Sequence, residues 1–221
     1  EMVIFNSNVQ AELYNNHYKL PTEKLRVVYN PTSAPAIPVT RSTSTKQIVF
    51  AGRFIVMKNV ESLIRAFAQM KDTTYTLLLI GDGPRENALR ELVAELGIEE
   101  RVTWSPSLSR TDLYTQIIDC AYVVIPSWTD ISPNQAYECL ALGIPFLITK
   151  ENYLAIRMEE FLTIDPKSVD DIASAMNQLT DPAQYQKLCD DLKHISFSYT
   201  WTEAAKDHVV IFYEVMREKK I

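Results

Sequence analysis

The sequence has no apolar run near the roughly 18 residues that a transmembrane helix needs, and its first residues lack the basic-then-apolar pattern of a secretory leader. A cytoplasmic protein is the expectation. Cysteine is scarce. Cys120, Cys139 and Cys189 are odd in number, far apart and set among apolar neighbours, which argues against a disulfide framework or a zinc knuckle and casts them as small buried hydrophobes. There is no D-x-D pair and no His/Cys cluster, so no metal site is expected. His17, His194 and His208 stand outside every motif and read as structural or exposed. A formal net charge of −6 speaks against nonspecific nucleic-acid binding, which needs a basic surface. What is present is ordinary for a globular chain: 221 residues, 47% hydrophobic and 23% charged, enough for one large core or one core and a fragment of another.

One shift in composition divides the chain. "YNPTSAPAIPVTRSTSTKQ", starting at Tyr29, is dense in Pro, Ser and Thr and has no apolar period, so residues 29–46 read as a linker. The strand-like "MVIFNS", a helical stretch from Asn8 to Tyr18 and "KLRVVYN" make a small unit over 1–28. From Gln47 onward, short apolar runs alternate with segments of helical period, the pattern of repeated βα units and a doubly wound parallel sheet. "QIVFAG" precedes a helix with Val60, Leu63, Ile64 and Phe67 on one face and Asn59 as its N-cap. "YTLLLIG" precedes a stripe of Leu89, Leu92, Val93 and Leu96 that Gly97 ends. "RVTW" leads to a helix capped by Ser109, and "AYVVIPS", "IPFLIT" and "FLTID" are further strands, followed by helices capped by Ser168 and Asp181. This domain is expected over 47–199. An amphipathic helix, periodic from about Thr202 to Lys219, fills 200–221.

Doubly wound sheets bind ligands beyond the carboxyl ends of their strands, and four features collect there. In "AGRFIVMKN", Arg53 follows a strand and Gly52, and Lys58 precedes a helix. Together a bidentate fork, a point charge and a helix start can hold a diphosphate. "GDGPREN" lacks the third glycine of a dinucleotide fingerprint because Glu86 holds its place, so a tight turn with Pro84 starting a helix is expected. Gly81 and Gly83 still allow close backbone approach, and Asp82 reads as a turn or cap residue. In "WSPSLSR", backbone groups between Ser105 and Leu108, Ser107 included, can pair with the edge of a nucleobase while Trp104 or Leu108 packs nearby. In "SWTDISPNQAYECLALGIPF", Ser132 suits an N-cap and Pro133 a first helical residue, so N–H groups from Ser132 to Gln135 can cradle a phosphate. Glu138 lies four residues after Asn134, on the same helical face, and Asp130 lies on the loop in front. A carboxylate suits vicinal ribose hydroxyls because it can accept from both. A loop Asp and an exposed helical Glu are the plain alternative.

The order of "VVYNPTS", "FAGRFIVMKNVESLIRAFA", "YTLLLIGDGP", "RVTWSPSLSRTDLYTQIIDCAYVVIPS" and "AYECLALGIPFLIT" resembles the nucleotide-sugar-binding half of the retaining family-4 glycosyltransferases, which have the GT-B fold. It runs from Lys24 to Trp201. The resemblance implies that Arg53 and Lys58 hold the donor diphosphate and stabilise the leaving group, that Glu138 binds the donor ribose, and that Asp130 faces the transferred sugar. Arg53, Lys58 and Asp130 are then the catalytic candidates. Gly52, Ser107, Leu108, Ser132, Pro133, Asn134 and Glu138 join them as donor-binding candidates. The resemblance further implies sugar transfer without metal or cofactor from a UDP- or GDP-sugar to a glycan or glycolipid acceptor, the acceptor being held by an N-terminal half of which 1–28 is the end. The intact enzyme would be cytoplasmic or peripheral at the inner membrane face.

The sequence also departs from the family's pattern. Asp130 replaces a glutamate, Ile131 and Ser132 replace an aromatic-glycine pair, Pro106 stands where a glycine is common, and Lys150, Glu151 and Asn152 replace a glycine pair. Two carboxylates can also serve a glycosidase, but a glycosidase has no need of Arg53 and Lys58. A nucleotide-sugar epimerase of the same fold and a noncatalytic binding module remain as alternatives.

Overall fold

The computed structural model describes residues 2–31, 45–131, 133–154, 163–195 and 199–218. Most of the proposed linker and Ser132 lie outside the described residues, as do Phe161 and Leu162 of "FLTID". The first unit is β1 (Val3–Phe5), α1 (Asn8–Tyr18) and β2 (Leu25–Val27), its two strands parallel and α1 capped by the Ser7 side chain accepting from the Gln10 N–H.

The second sheet has six parallel strands. β3 (Gln47–Ala51) leads through α2 (Val60–Ala68) to β4 (Thr76–Ile80), then α3 (Glu86–Glu95) to β5 (Val102–Ser105) and α4 (Arg110–Ile117) to β6 (Tyr122–Ile125). After α5 (Asn134–Leu142) come β7 (Phe146–Thr149), β8 (Thr163–Ile164), α6 (Val169–Gln178) and α7 (Pro182–Lys193). The strand order is β5-β4-β3-β6-β7-β8, and every pairing is parallel. Strands with helices on both faces must be apolar on both sides. Accordingly Leu77 to Ile80, Tyr122 to Ile125 and Phe146 to Thr149 are buried without alternation. Val60, Leu63, Ile64 and Phe67 all face this core, and α2 packs on α3 and α6. Ser109, Ser168 and Asp181 cap their helices with side-chain acceptors, as the sequence predicts.

Several local expectations fail for identifiable reasons. Asn59 does not cap α2. It adopts a left-handed backbone (φ 53°), and its side-chain amide is drawn inward, donating to the carbonyls of Pro126 at 3.1 Å and Pro166 at 2.9 Å. Pro84 does not begin a helix. It sits in a turn, and α3 starts at Glu86, with the Arg85 N–H donated to the Phe54 carbonyl across the sheet end. α5 starts at Asn134, one residue after the expected Pro133. Cys120 and Cys139 are buried, whereas Cys189 is only half-buried on α7.

The last helix, α8 (Trp201–Glu218), contributes Ala204 and Ile211 to a small separate core with Val28, against which Met2 and Tyr199 pack. The guanidinium of Arg26 on β2 pairs with Glu214 at 2.8 Å. α8 thus packs on the two-stranded unit, whereas the six-stranded sheet keeps its own core.

Candidate functional site

Counted from β3, the strand order is 3-2-1-4-5-6, so the chain changes direction between β3 and β6. The loops leaving these strands diverge to opposite faces and leave a crevice at their carboxyl ends. The β3 and β4 ladder continues past the strands: the Gly52 N–H donates to the Ile80 carbonyl at 2.9 Å and the Phe54 N–H to the Asp82 carbonyl at 2.7 Å. Glycine is needed for this approach. A Cβ on Gly83 would lie 2.6 Å from the Phe54 oxygen, and one on Gly81 would fall onto the Gly52 carbonyl. The two turns are therefore laid side by side, which brings Gly52 and Arg53 to the rim.

A cavity of about 330 Å³ opens there, bounded by the ends of β3 and β4, the β5–α4 loop and the first turn and a half of α5. Its lining includes Gly52, Arg53, Ser107, Leu108, Asn134 and Glu138, six of the ten residues expected from sequence. Ile80, Gly81, Leu113 and Gln135 complete much of the wall. Arg53 is exposed, and its guanidinium makes no ion pair or hydrogen bond among the described residues. Ser107 is drawn toward β4 by a short hydrogen bond from its hydroxyl to Asp82, which makes Asp82 a loop-fixing residue. Trp104 does not line the cavity. It stacks under the Arg90 guanidinium (4.3 Å) and edge-on to Phe54, and so supports the loop from below.

Glu138 projects from α5 with only 13% of its side chain exposed, and Arg110 approaches its Oε1 at 3.6 Å from the start of α4. Tyr114, one turn further along α4, is buried beside it. Burial and the nearby Glu138 carboxylate hold the Tyr114 phenol well above its ordinary pKa, so it stays protonated. Neither Arg110 nor Tyr114 is marked by any motif. Their i, i+4 spacing on a capped helix is the only signal that could have found them.

Lys58 and Asp130 form a second centre adjoining the first in sequence. Lys58 Nζ donates to Asp130 Oδ2 at 2.9 Å, and the Ser127 hydroxyl donates to the same oxygen at 3.3 Å. Asp130 is buried, and its backbone is tied by its N–H to the Glu151 carbonyl and by its carbonyl to the Tyr153 N–H. Its Oδ1 makes no hydrogen bond among the described residues. Lys58, expected at the diphosphate, and Asp130, expected at the transferred sugar, are thus held against one another, and neither lines the cavity. Asn59 was missed as a site residue. By clamping the ends of β6 and β8 it fixes the backbone next to Lys58. Pro133 is buried just before α5 and also stays out of the lining, and Ser132 lies outside the described residues.

A larger cavity, about 620 Å³, lies between the two-stranded unit and α8 and contains none of the expected residues. Among the described residues no His/Cys/Asp/Glu group has the geometry of a metal site, and no helix is long and apolar enough to cross a membrane.

Residues 37–194 match the family described as Glycosyl transferases group 1. The chain is 25% identical over 228 residues to the D-inositol 3-phosphate glycosyltransferase of Rhodococcus opacus (strain B4), covering 93% of this chain and 51% of that protein. It is 27% identical over 198 residues to the enzyme of the same name from Mycobacterium sp. (strain KMS), covering 81% and 44%. The chain therefore spans about half the length of the curated relatives it matches. Among solved structures, a glycosyltransferase from Rickettsia africae ESF-5 superposes with a TM-score of 0.82 at 15% identity, covering 98% of this chain and 64% of that one. S. aureus TarM, solved with UDP among its ligands, superposes with a TM-score of 0.81 at 16% identity, covering 96% and 43%. These likenesses establish the Rossmann-like half of a GT-B fold for the six-stranded domain.

Proposed function

The chain belongs to the group 1 glycosyl transferases, and from that premise we propose that it is the donor-binding half of an enzyme that moves a sugar from a nucleoside diphosphate sugar to an acceptor, with retention and without a metal. The observation that carries the reading is the convergence of an unpaired arginine, a helix start and a mostly buried carboxylate on one cavity at the sheet's switch point. Each group has a distinct task. Arg53 offers a fork to the diphosphate, and the N–H groups at the start of α5, at Asn134 and Gln135, face the same anion. Glu138 sits one turn further along α5, at a distance that suits the ribose, whose two hydroxyls it can accept. Leu108, Ile80 and Leu113 supply an apolar wall for the base, with Ser107 at its edge.

When the glycosidic bond breaks, the electron pair stays on the diphosphate. Fixed positive charge beside that oxygen stabilises the departing group, which is the largest contribution this half can make. Arg53 is placed for it. Lys58 is held in reserve by Asp130, whose free Oδ1 is the group on hand for a sugar hydroxyl. The acceptor, glycan or glycolipid, is assigned to an N-terminal half that residues 1–28 would complete, and the linker to 29–46.

Calorimetric titration of the chain with UDP, GDP and ADP in EDTA tests the reading. One nucleotide is expected to bind, about 10- to 100-fold more weakly in Arg53→Ala and Glu138→Ala, the range for losing a hydrogen bond to a charged group. Absence of binding by all three, or binding indifferent to both substitutions, overturns it.

A further inference from the structure

Tyr114 holds a polar atom that the core does not need. The residue is 1% exposed and belongs to the main hydrophobic core. Its hydroxyl oxygen is buried without a hydrogen-bond partner among the described residues, although it lies close enough to Glu138 for the carboxylate to act on it. Phenylalanine would fill the same space with no buried hydroxyl to satisfy, so the oxygen calls for an explanation. The acceptor at hand is Glu138. Arg110 and Tyr114 share one face of α4, four residues apart; the guanidinium reaches the carboxylate at the rim, and the phenol lies on the same side, buried and within the carboxylate's electrostatic reach. Arg110 is half exposed and at 3.6 Å is a loose partner, whereas the Tyr114 ring is locked by packing.

Building on the donor reading of this cavity, we infer that Tyr114 is a positioning residue for Glu138: its buried hydroxyl donates to the Glu138 carboxylate in the ligand-bound state and fixes the orientation in which that carboxylate accepts from both ribose hydroxyls. A cis-diol is held well only if the carboxylate plane is set, and a single loose contact from Arg110 leaves it free to turn. A donor from the core sets it. The phenol serves as a donor only. Burial and the neighbouring negative charge keep its proton in place, so no proton is transferred.

The test is a comparison of three ligands on the full chain and its Tyr114→Phe variant. UDP, GDP and ADP are titrated first, and the nucleotide that binds is then compared with its 2′,3′-dideoxy analogue and with inorganic pyrophosphate. Tyr114→Phe is expected to weaken the ribonucleotide about tenfold while leaving the dideoxy analogue and pyrophosphate within twofold of the parent chain. Its denaturation midpoint should equal or exceed that of the parent, because the hydroxyl is unpaired in the free protein. In a Glu138→Ala background, which removes the acceptor, the same substitution should add no further loss. Unchanged ribonucleotide affinity, or an equal loss for all three ligands, would reduce Tyr114 to a core filler and overturn the inference alone. If the parent chain binds none of the nucleotides, the donor reading fails and this inference falls with it.

Discussion

Replacing Gly83 by alanine tests whether the site is built by backbone packing between the β3 and β4 turns. The added Cβ would stand 2.6 Å from the Phe54 oxygen, 2.8 Å from its nitrogen and 2.9 Å from its carbonyl carbon, at a backbone φ of 153°. Ordinary contact begins near 3.4 Å, so the Phe54 peptide would have to retreat by most of an ångström. It cannot do so cheaply. Its N–H is held by the Asp82 carbonyl at 2.7 Å, its carbonyl by the Arg85 N–H at 3.0 Å, and its ring, 1% exposed, is wedged against Phe50 and Trp104. Losing one of those hydrogen bonds and leaving its partner unsatisfied costs about 1–3 kcal/mol, and a glycine-type φ on alanine a further 1–3 kcal/mol or so. The expected loss is about 3–5 kcal/mol, read by urea denaturation. Gly97→Ala is the control, since its φ is also positive (64°) but nothing lies within 4 Å of the added Cβ; it should lose only about 1–2 kcal/mol. Because Phe54 adjoins Arg53, the Gly83 variant should also lose nucleotide affinity while the Gly97 variant keeps it. Equal stability losses in the two variants would refute the close-packing argument.

Two further outcomes are expected. Asn59→Gly keeps the left-handed backbone without strain but removes the amide that ties Pro126 to Pro166, so it should lose about 1–3 kcal/mol in the same assay, and Asn59→Ala about 1 kcal/mol more; a neutral glycine variant would dismiss the clamp. Hydrogen bonds from Thr74, then Lys46, hold the half-buried Asp72 carboxyl down to about 2, below its ordinary value of 3.8. A depressed carboxyl stabilises the fold above its unfolded pKa and loses that contribution as pH falls through the folded one. The stability gap between the parent chain and Asp72→Asn should therefore be constant above about pH 5 and close between about pH 4 and 2; a gap independent of pH would remove the assignment.

Sequence order made the sheet legible because each strand is buried on both faces and each helix on one, so the apolar periods mark β3 to β7 even where the cap signals at Asn59 and Pro84 mislead. It also located Arg53 and Glu138, since strand ends and helix starts are where a doubly wound fold opens. What spacing could not reveal is contact between segments far apart in the chain. Lys58 and Asp130 are separated by 72 residues, and nothing in either motif says that each is the other's partner. Asn59 looked like a cap because it precedes a helix, but two buried carbonyls without donors compete for the same amide and win. Tyr114 lies outside every motif, so its hydroxyl carried no signal.

The departures from the family's pattern look scattered along the sequence, but two of them meet in space. Asp130, where the family's pattern has a glutamate, and the Lys150–Asn152 segment, where it has a glycine pair, meet in a short parallel bridge between Asp130 and Asn152. The Asp130 N–H donates to the Glu151 carbonyl at 3.0 Å, and the Tyr153 N–H donates to the Asp130 carbonyl at 3.2 Å. With side chains rather than glycines on the second strand of this bridge, its backbone has fewer conformations to lose on pairing, and the loop carrying the acid is held by two further bonds. A carboxylate fixed so close to its own backbone does not need a glutamate's reach, and the shorter side chain places Oδ2 on Lys58 and Ser127. The changes at the two ends of the bridge therefore belong together: Asp130→Glu alone would carry the longer side chain into the space of Lys58 and Ser127 and should lower the urea midpoint, and a midpoint equal to the parent's would refute the coupling.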